Sequence, residues 1–474
     1  MEQRLSGDEP LFVDLDGALL EGSRFWEAFV QELKTRPLFA IGTLLRGSGG
    51  RTAFMEAVTS EGSFEPARCH YNPEVVAFAR AQAEHRPVLL ITNGSASVAE
   101  AVAGYHGFFS GTVATEPGPE AMLCAIQRSS RGDRFDYIGA YPEGRPIWQA
   151  VGRAYAVLPA GRRARADADD PPIRQTFTRC AATPQDHLSA MRLHQWVKNL
   201  LIFVPALLSH RILEPGVLIS SIGAFLAFSL LASATYILND ILDIASDRTS
   251  PHKKNRPLAA CRMSIPRAAG FAASLLASGV LLAGLLTPPL TLPFLAGYIA
   301  ITLAYSLSFK RRAILDVVTL AVLYGYRIAV GGAATGIPVS DWLIAFSIFF
   351  FLGLALVKRF SEVEELAAQP GRAVAGRAYS GADTHVIGSL GIVSSFTSVL
   401  VMALYITSPA VAAQYQNPRI LWFVCLILIY WISHIWLHAW RSEIRGDPIV
   451  YALRDKTSYA CGAFAGTSVL LALV

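Results

Sequence analysis

Three carboxylates, Asp240, Asp243 and Asp247, stand at the end of an apolar stretch in YILNDILDIASDRTSPHKKNRP, residues 236–257. If the helix continues, their spacing of three and four residues places them on one face, with Asn239 beside them. Like charges so spaced repel, and the pattern calls for a cation. Oxygen ligands of this kind suit Mg²⁺, which keeps part of its water shell and bridges carboxylates to substrate phosphates. Lys253, Lys254 and Arg256 follow closely and would take up the remaining phosphate charge. The competing reading is a solvated loop whose basic residues only mark one side of a membrane. It accounts for the lysines, but not for three acids at a helix mouth where anionic lipid disfavours them. Catalytic and metal-binding roles are therefore expected for Asp240, Asp243 and Asp247, with Asn239 as a further metal ligand.

A second acidic pair lies far upstream. LFVDLDGALL (11–20) reads as a buried strand ending in Asp14 and Asp16, and RPVLLITNGSASVAEAVAGYHG (86–107) as a second strand, a polar turn carrying Thr92 and Asn93, and a helix. Further strand signals at FDYIGA (135–140) and RAYAVL (153–158) complete an alternating pattern. It predicts a Rossmann-type α/β domain over 1–158 whose parallel sheet gathers Asp14, Asp16 and Thr92 at its carboxyl edge. Residues 159–185, polar and proline-containing, read as a linker on the membrane surface.

The elements that must position the first cluster are membrane helices. The chain is 53% hydrophobic and only 16% charged, too apolar for an ordinary soluble protein. Residues 1–185 hold 19 Lys+Arg against 22 Asp+Glu, whereas 186–474 hold 22 against 14, so the two parts suit different solvents. Nine apolar runs long enough to cross a bilayer follow, at about 197–213, 216–238, 265–285, 289–307, 313–333, 341–357, 386–407, 419–439 and 457–474. With a cytoplasmic N-terminus the inner connections carry 16 Lys+Arg, and the outer ones only Arg211 and Arg419. That asymmetry supports nine transmembrane helices in an all-α bundle over 186–474, with the aspartate loop cytoplasmic and the C-terminus outside. MEQRLSGDEP is too charged for a signal peptide, which keeps the α/β domain on the cytoplasmic face of the plasma membrane. The six cysteines lack metal-type spacing, and no basic-aromatic stripe points to nucleic acid.

NDxxDxxxD at the cytoplasmic end of a spanning helix resembles the signature of the UbiA-type polyprenyltransferase superfamily, and YSLSFKR (305–311) resembles its tyrosine-and-lysine element through Tyr305 and Lys310. Where that superfamily carries a second aspartate-rich motif, this chain has LVKRFSEVEEL (356–366), with Lys358 and Arg359 in place of acids. Together with MRLHQWVKNLLIFVPAL (191–207), these segments resemble the polyprenyl-phosphate (decaprenyl-phosphate) phosphoribosyltransferase branch. The resemblance implies transfer of 5-phosphoribose from phosphoribosyl pyrophosphate to a membrane polyprenyl phosphate, with Mg²⁺ as cofactor and lipid-linked ribose or arabinose precursors of the cell wall as products. The alternative is prenyl transfer from a polyprenyl diphosphate to an aromatic acceptor such as 4-hydroxybenzoate. Arg192, Lys198, Lys310, Lys358 and Arg359 are candidates for the ribose 5-phosphate and the lipid phosphate. Arg327, inside the fifth run, either pairs with Asp316 or faces a cavity. Tyr324, on the same face, either packs or contacts substrate, and Gly331–Gly332 reads as helix-packing material.

The N-terminal pattern resembles the haloacid dehalogenase superfamily, which implies Asp14 as nucleophile, Asp16 as acid/base and Thr92 as the phosphate-binding hydroxyl. It also departs from that family. The only lysine in the first 185 residues is Lys34, upstream of Thr92, and Ala140 and Gly144 stand where metal-binding aspartates belong. Glu143 and Asp133 are out of register. A structural, docking or phosphate-sensing remnant is expected.

Overall fold

The computed structural model describes residues 9–45, 65–130, 134–159, 173–250, 253–367, 379–444 and 446–473. Asp133 lies outside them. Two compact units form, one from Met1–Met191 with Tyr236–Phe271, the other from Arg192–Thr235 with Ala272–Val474.

The first unit is built on a six-stranded sheet: β1 (Leu11–Asp14), β2 (Val88–Thr92), β3 (Gly111–Ala114), β4 (Asp136–Ala140), β5 (Arg153–Pro159) and β6 (Ile173–Arg179). The order is β3-β2-β1-β4-β5-β6 and every pairing is parallel. Strands β1, β2, β4 and β5 arise where expected, from apolar runs whose residues are buried by helices on both faces. The linker assignment is corrected. Residues 173–179 extend the sheet as β6, pairing with β5 from Ala154↔Ile173 to Pro159↔Arg179. Only Phe177 of this edge strand is buried, which is why IRQTFTR reads as polar connection. The sheet domain therefore runs past residue 158 to Arg179. Asn72 secures the edge by donating from Nδ2 to the Thr178 carbonyl at 3.2 Å.

In the second unit and its connections, seven helices among the described residues are long and apolar enough to cross a membrane: Pro215–Leu242, Ile265–Leu286, Thr291–Arg311, Leu315–Thr335, Asp341–Glu365, Gly381–Ile406 and Pro418–Trp440. The first and last of the nine expected runs form shorter helices. The first run forms the short pair Leu193–Phe203 and Val204–Leu208, 3₁₀ winding giving way to α at Val204, and the last forms the 18-residue helix Lys456–Leu473. Gly331 has the packing role expected of it, since a Cβ there would overlap the Ile202 carbonyl.

Candidate functional site

The aspartate loop forms where helix Pro215–Leu242 ends. Asp243 sits at φ −101°, ψ 9°, outside helical geometry, and a short helix, Ile244–Thr249, begins after it. The two helices still connect through Asp243 N–H to Asn239 O and Asp247 N–H to Asp243 O, both 2.9 Å. The kink corrects the expectation of one continuous acidic face. Asp240 and Asp247 are buried while Asp243 and Asn239 are half-buried, and among the described residues no three acids, histidines or cysteines converge as a metal-binding group. Two carboxylates do converge. Arg256 Nη1 donates to Asp240 Oδ1 at 2.9 Å and to Asp247 Oδ2 at 2.6 Å, and Lys253 Nζ lies 3.8 Å from Asp247 Oδ1. One guanidinium nitrogen thus stands between two buried carboxylates, as a cation bridging them would. That donor set fits a divalent ion held by Asp240 and Asp247. Lys254 is exposed beside them.

The helical unit concentrates its polar chemistry around two other centres. Lys198 Nζ pairs with Asp447 Oδ2, and Lys358 Nζ lies 3.9 Å from the same oxygen. Asp447 also caps the following helix through Ile449 N–H at 3.1 Å. Burial raises its carboxyl pKa, but the charges of Lys198 and Lys358 outweigh that and hold it below the usual range, so it is ionised at neutral pH. The second centre is Arg327, 5% exposed, whose Nε donates to Asn199 Oδ1 at 2.9 Å while Asn199 Nδ2 donates to Ser229 Oγ at 2.9 Å. Its guanidinium carbon lies 5.2 Å from the Phe228 ring centre, 5.8 Å from Tyr298 and 5.6 Å from Tyr324. Tyr324 also takes Lys198 Nζ at 5.5 Å.

Of the two readings open for Arg327, the pair with Asp316 does not form; Arg359 pairs with Asp316 instead, at 2.6 Å, with both side chains fully buried. Asp316 further accepts from Tyr379 Oη at 2.6 Å. Arg359 is thereby committed to a buried ion pair, a poor position for receiving a phosphate. Arg192, at φ 52° before helix Leu193–Phe203, Tyr305 and Lys310 are half-buried. Sequence reasoning missed Asp447, whose only local signal, Asp-Pro ahead of an apolar turn, reads as a helix cap.

At the carboxyl edge of the sheet, Asp14, Asp16 and Thr92 do come together. Asp14 Oδ1 accepts from Asp16 N–H at 3.1 Å, and Thr92 Oγ1 donates to Asp16 Oδ2 at 3.4 Å. Two unforeseen residues occupy the cluster. Tyr137 Oη donates to Asp14 Oδ2 at 3.0 Å. Arg24, from helix Arg24–Thr35, grips Asp16 with two nitrogens, Nε to Oδ1 at 2.5 Å and Nη2 to Oδ2. Burial, followed by the nearby Asp16 charge, pushes Asp14 up to about 6 against the pull of hydrogen bonds from Gly17, Tyr137 and Asp16. Arg24 thus brings a positive charge to Asp16. A cavity of about 1230 Å³ opens beside this cluster, lined by Asp16, Arg24, Asn93, Ser95 and Arg179 among others.

Residues 201–452 match the model of the UbiA prenyltransferase family. The chain is 33% identical to the uncharacterised protein y4nM of Sinorhizobium fredii, over 98% of this chain and 91% of that one. It is 31% identical to the nodulation protein NoeC of Azorhizobium caulinodans, over 58% of this chain and 89% of that one. It is also 35% identical to the decaprenyl-phosphate phosphoribosyltransferase of Mycobacterium tuberculosis, over 40% of this chain and 63% of that one.

Proposed function

The chain belongs to the UbiA prenyltransferase family, and from that premise we propose that it transfers 5-phosphoribose from phosphoribosyl pyrophosphate to a polyprenyl phosphate within a membrane. The observation that carries this reading is the cation pair of the helical unit. Lys198 and Lys358 share the single carboxylate of Asp447, which leaves an excess positive charge suited to a lipid monophosphate held directly. The similarity to the mycobacterial phosphoribosyltransferase points the same way.

Asp240 and Asp247 would hold Mg²⁺, with Asp243 and Asn239 near enough in sequence to share its water shell. When bound, the ion would neutralise pyrophosphate as it leaves the anomeric carbon. Arg256, Lys253 and Lys254 would carry the rest of that charge, Arg256 turning from its two carboxylates toward phosphate oxygens. The bond from the anomeric carbon to the pyrophosphate breaks and one to the lipid phosphate oxygen forms. That oxygen is already anionic at neutral pH, so no general base is required. Arg192, Tyr305, Lys310 and Tyr324 are the remaining candidates for the ribose 5-phosphate and the acceptor. Arg327, caged by three rings and bonded to Asn199, serves to shape the wall of the helical unit. We place the protein in the plasma membrane with nine crossings, Leu193–Leu208 and Lys456–Leu473 completing the seven longer ones, and with the α/β domain cytoplasmic.

Purified protein is supplied either with phosphoribosyl pyrophosphate and polyprenyl phosphate, or with a prenyl diphosphate and 4-hydroxybenzoate, each with Mg²⁺. A lipid-linked phosphoribose product is expected from the first pair. Turnover with the second pair alone rejects the proposal.

A further inference from the structure

Arg248 directly follows Asp247 in the short helix Ile244–Thr249, and its guanidinium is saturated by partners from three other segments. Nη2 and Nη1 donate to Glu27 Oε1 and Oε2 at 2.7 and 2.8 Å, a two-pronged ion pair with the first helix of the α/β domain. Nη1 also donates to the Arg68 carbonyl at 3.2 Å, Nε to the Ala259 carbonyl at 3.2 Å and Nη2 to Cys261 Sγ at 3.0 Å. The pair is substantially enclosed, with the Arg248 side chain 11% and that of Glu27 28% exposed. Cys261 holds a left-handed backbone, φ 52°, unfavourable for a residue with a Cβ and sustained here by its surroundings. Arg248 therefore ties together the helix that carries Asp247 and the segment just beyond Arg256. Those two residues are the halves of the 2.6 Å pair in the aspartate loop.

Glu27 is the carboxylate that makes this clasp affordable. Without it an enclosed guanidinium would keep only neutral acceptors, and a charge so placed turns toward water. Gly22 leaves the space that Glu27 occupies in this clasp: a Cβ there would overlap Glu27 Oε1 and displace that carboxylate from its place beside Arg248.

We propose that Glu27 is a positioning residue for the transferase, holding Arg248 so that Asp247 and Arg256 keep the spacing that receives the donor's pyrophosphate. The α/β domain is then a working part of the transferase site, whatever chemistry its own carboxyl edge retains. The kinetic side of this inference rests on the function proposed above; the structural side does not.

The test uses the full chain in lipid nanodiscs, with Glu27→Gln, Gly22→Ala, Arg248→Gln and the Glu27→Gln/Arg248→Gln double variant. Amide hydrogen exchange is followed in peptides covering 244–261 without substrate, and donor KM and kcat are measured alongside. Glu27→Gln and Gly22→Ala are expected to speed exchange in that stretch by about tenfold, leaving the sheet strands protected. Donor KM should rise about tenfold while kcat stays within about twofold, a split that general loss of folded protein does not give. The double variant should be no worse than Arg248→Gln alone, because both changes remove one linkage. Unchanged exchange in Glu27→Gln, or additive losses in the double variant, overturns the proposal. If the unaltered protein turns over neither substrate pair, the functional reading fails, and the exchange comparison still decides the clasp.

Discussion

The aspartate loop and the carboxyl edge of the sheet each bring two aspartates to an arginine, but the arginines are used differently. Arg256 spans Asp240 and Asp247 with one nitrogen, its side chain 26% exposed. Arg24 gives two nitrogens to a single carboxylate and is 13% exposed. A single-nitrogen bridge has little geometric specificity, whereas a bidentate fork fixes both oxygens of the carboxylate it holds. On the function proposed above, the first cluster gives up its arginine to a metal and phosphate, while the second keeps its own. Similar acidic motifs in one chain thus differ in how a neighbouring guanidinium holds them.

The largest effect should come from breaking the exchangeable cluster. Asp247→Asn removes one of the two converging charges, and the rate of phosphoribosyl transfer is expected to fall on the order of 100-fold or more with the fold intact. Radiolabelled donor incorporation into lipid, read beside the unfolding temperature, measures both. A variant that keeps full rate would remove the metal assignment and the contrast with it. Next in size is Lys358→Gln, which leaves Lys198 alone against Asp447 and cancels the excess positive charge. Its expected signature is a rise of about tenfold in KM for the polyprenyl phosphate with little change for the donor. An increase in donor KM instead would move Lys358 to the other substrate.

Arg24→Ala probes the closed cluster. Breaking an ion pair of this kind leaves Asp16 beside Asp14 without its paired guanidinium, but Asp16 is about a third exposed and water screens part of the loss. A destabilisation of about 1 kcal/mol follows, seen as a fall of about 2 to 4 °C in the α/β domain's unfolding temperature. Lipid transfer should change much less than in Asp247→Asn. If Arg24→Ala instead gains Mg²⁺-dependent release of phosphate from the lipid product, the arginine is a block on an otherwise competent site.

What could be read from the sequence follows the range of the interactions. Strands β1, β2, β4 and β5 declare themselves as apolar runs, and the aspartate spacing marks out a local acidic cluster, because each signal lies within a few residues. Strand β3 is a four-residue GTVA and β6 buries only Phe177, so neither leaves a hydrophobic pattern. The partners that decide what each cluster does are distant. Lys198 and Asp447 are 249 residues apart, Glu27 and Arg248 are 221, and no periodicity records such pairings. The same holds for Arg359, whose place beside Lys358 suggests phosphate until Asp316 and Tyr379 are seen around it.

An effect of similar size to that of Arg24→Ala has the least intuitive sign. Asp14 is held at about 6, above its ordinary 3.8, first by burial and then by the charge of Asp16. Its folded form therefore binds a proton more tightly than its unfolded form, and stability falls as pH rises from about 4 to about 6. Above that window the carboxylate is ionised in both states and its full cost is present; below it the group is protonated in both and the cost is absent. Asp14→Asn, which keeps the shape and never ionises, should raise the unfolding temperature at pH 7.5 by about 2 to 4 °C, an advantage that shrinks to nothing as pH falls below about 4. If Arg24 holds Asp16 throughout turnover, the same variant leaves the 5-phosphate on the lipid product unchanged. Loss of a dephosphorylated product in Asp14→Asn would show that Arg24 releases Asp16 during turnover, and the two clusters would then differ in timing rather than in kind.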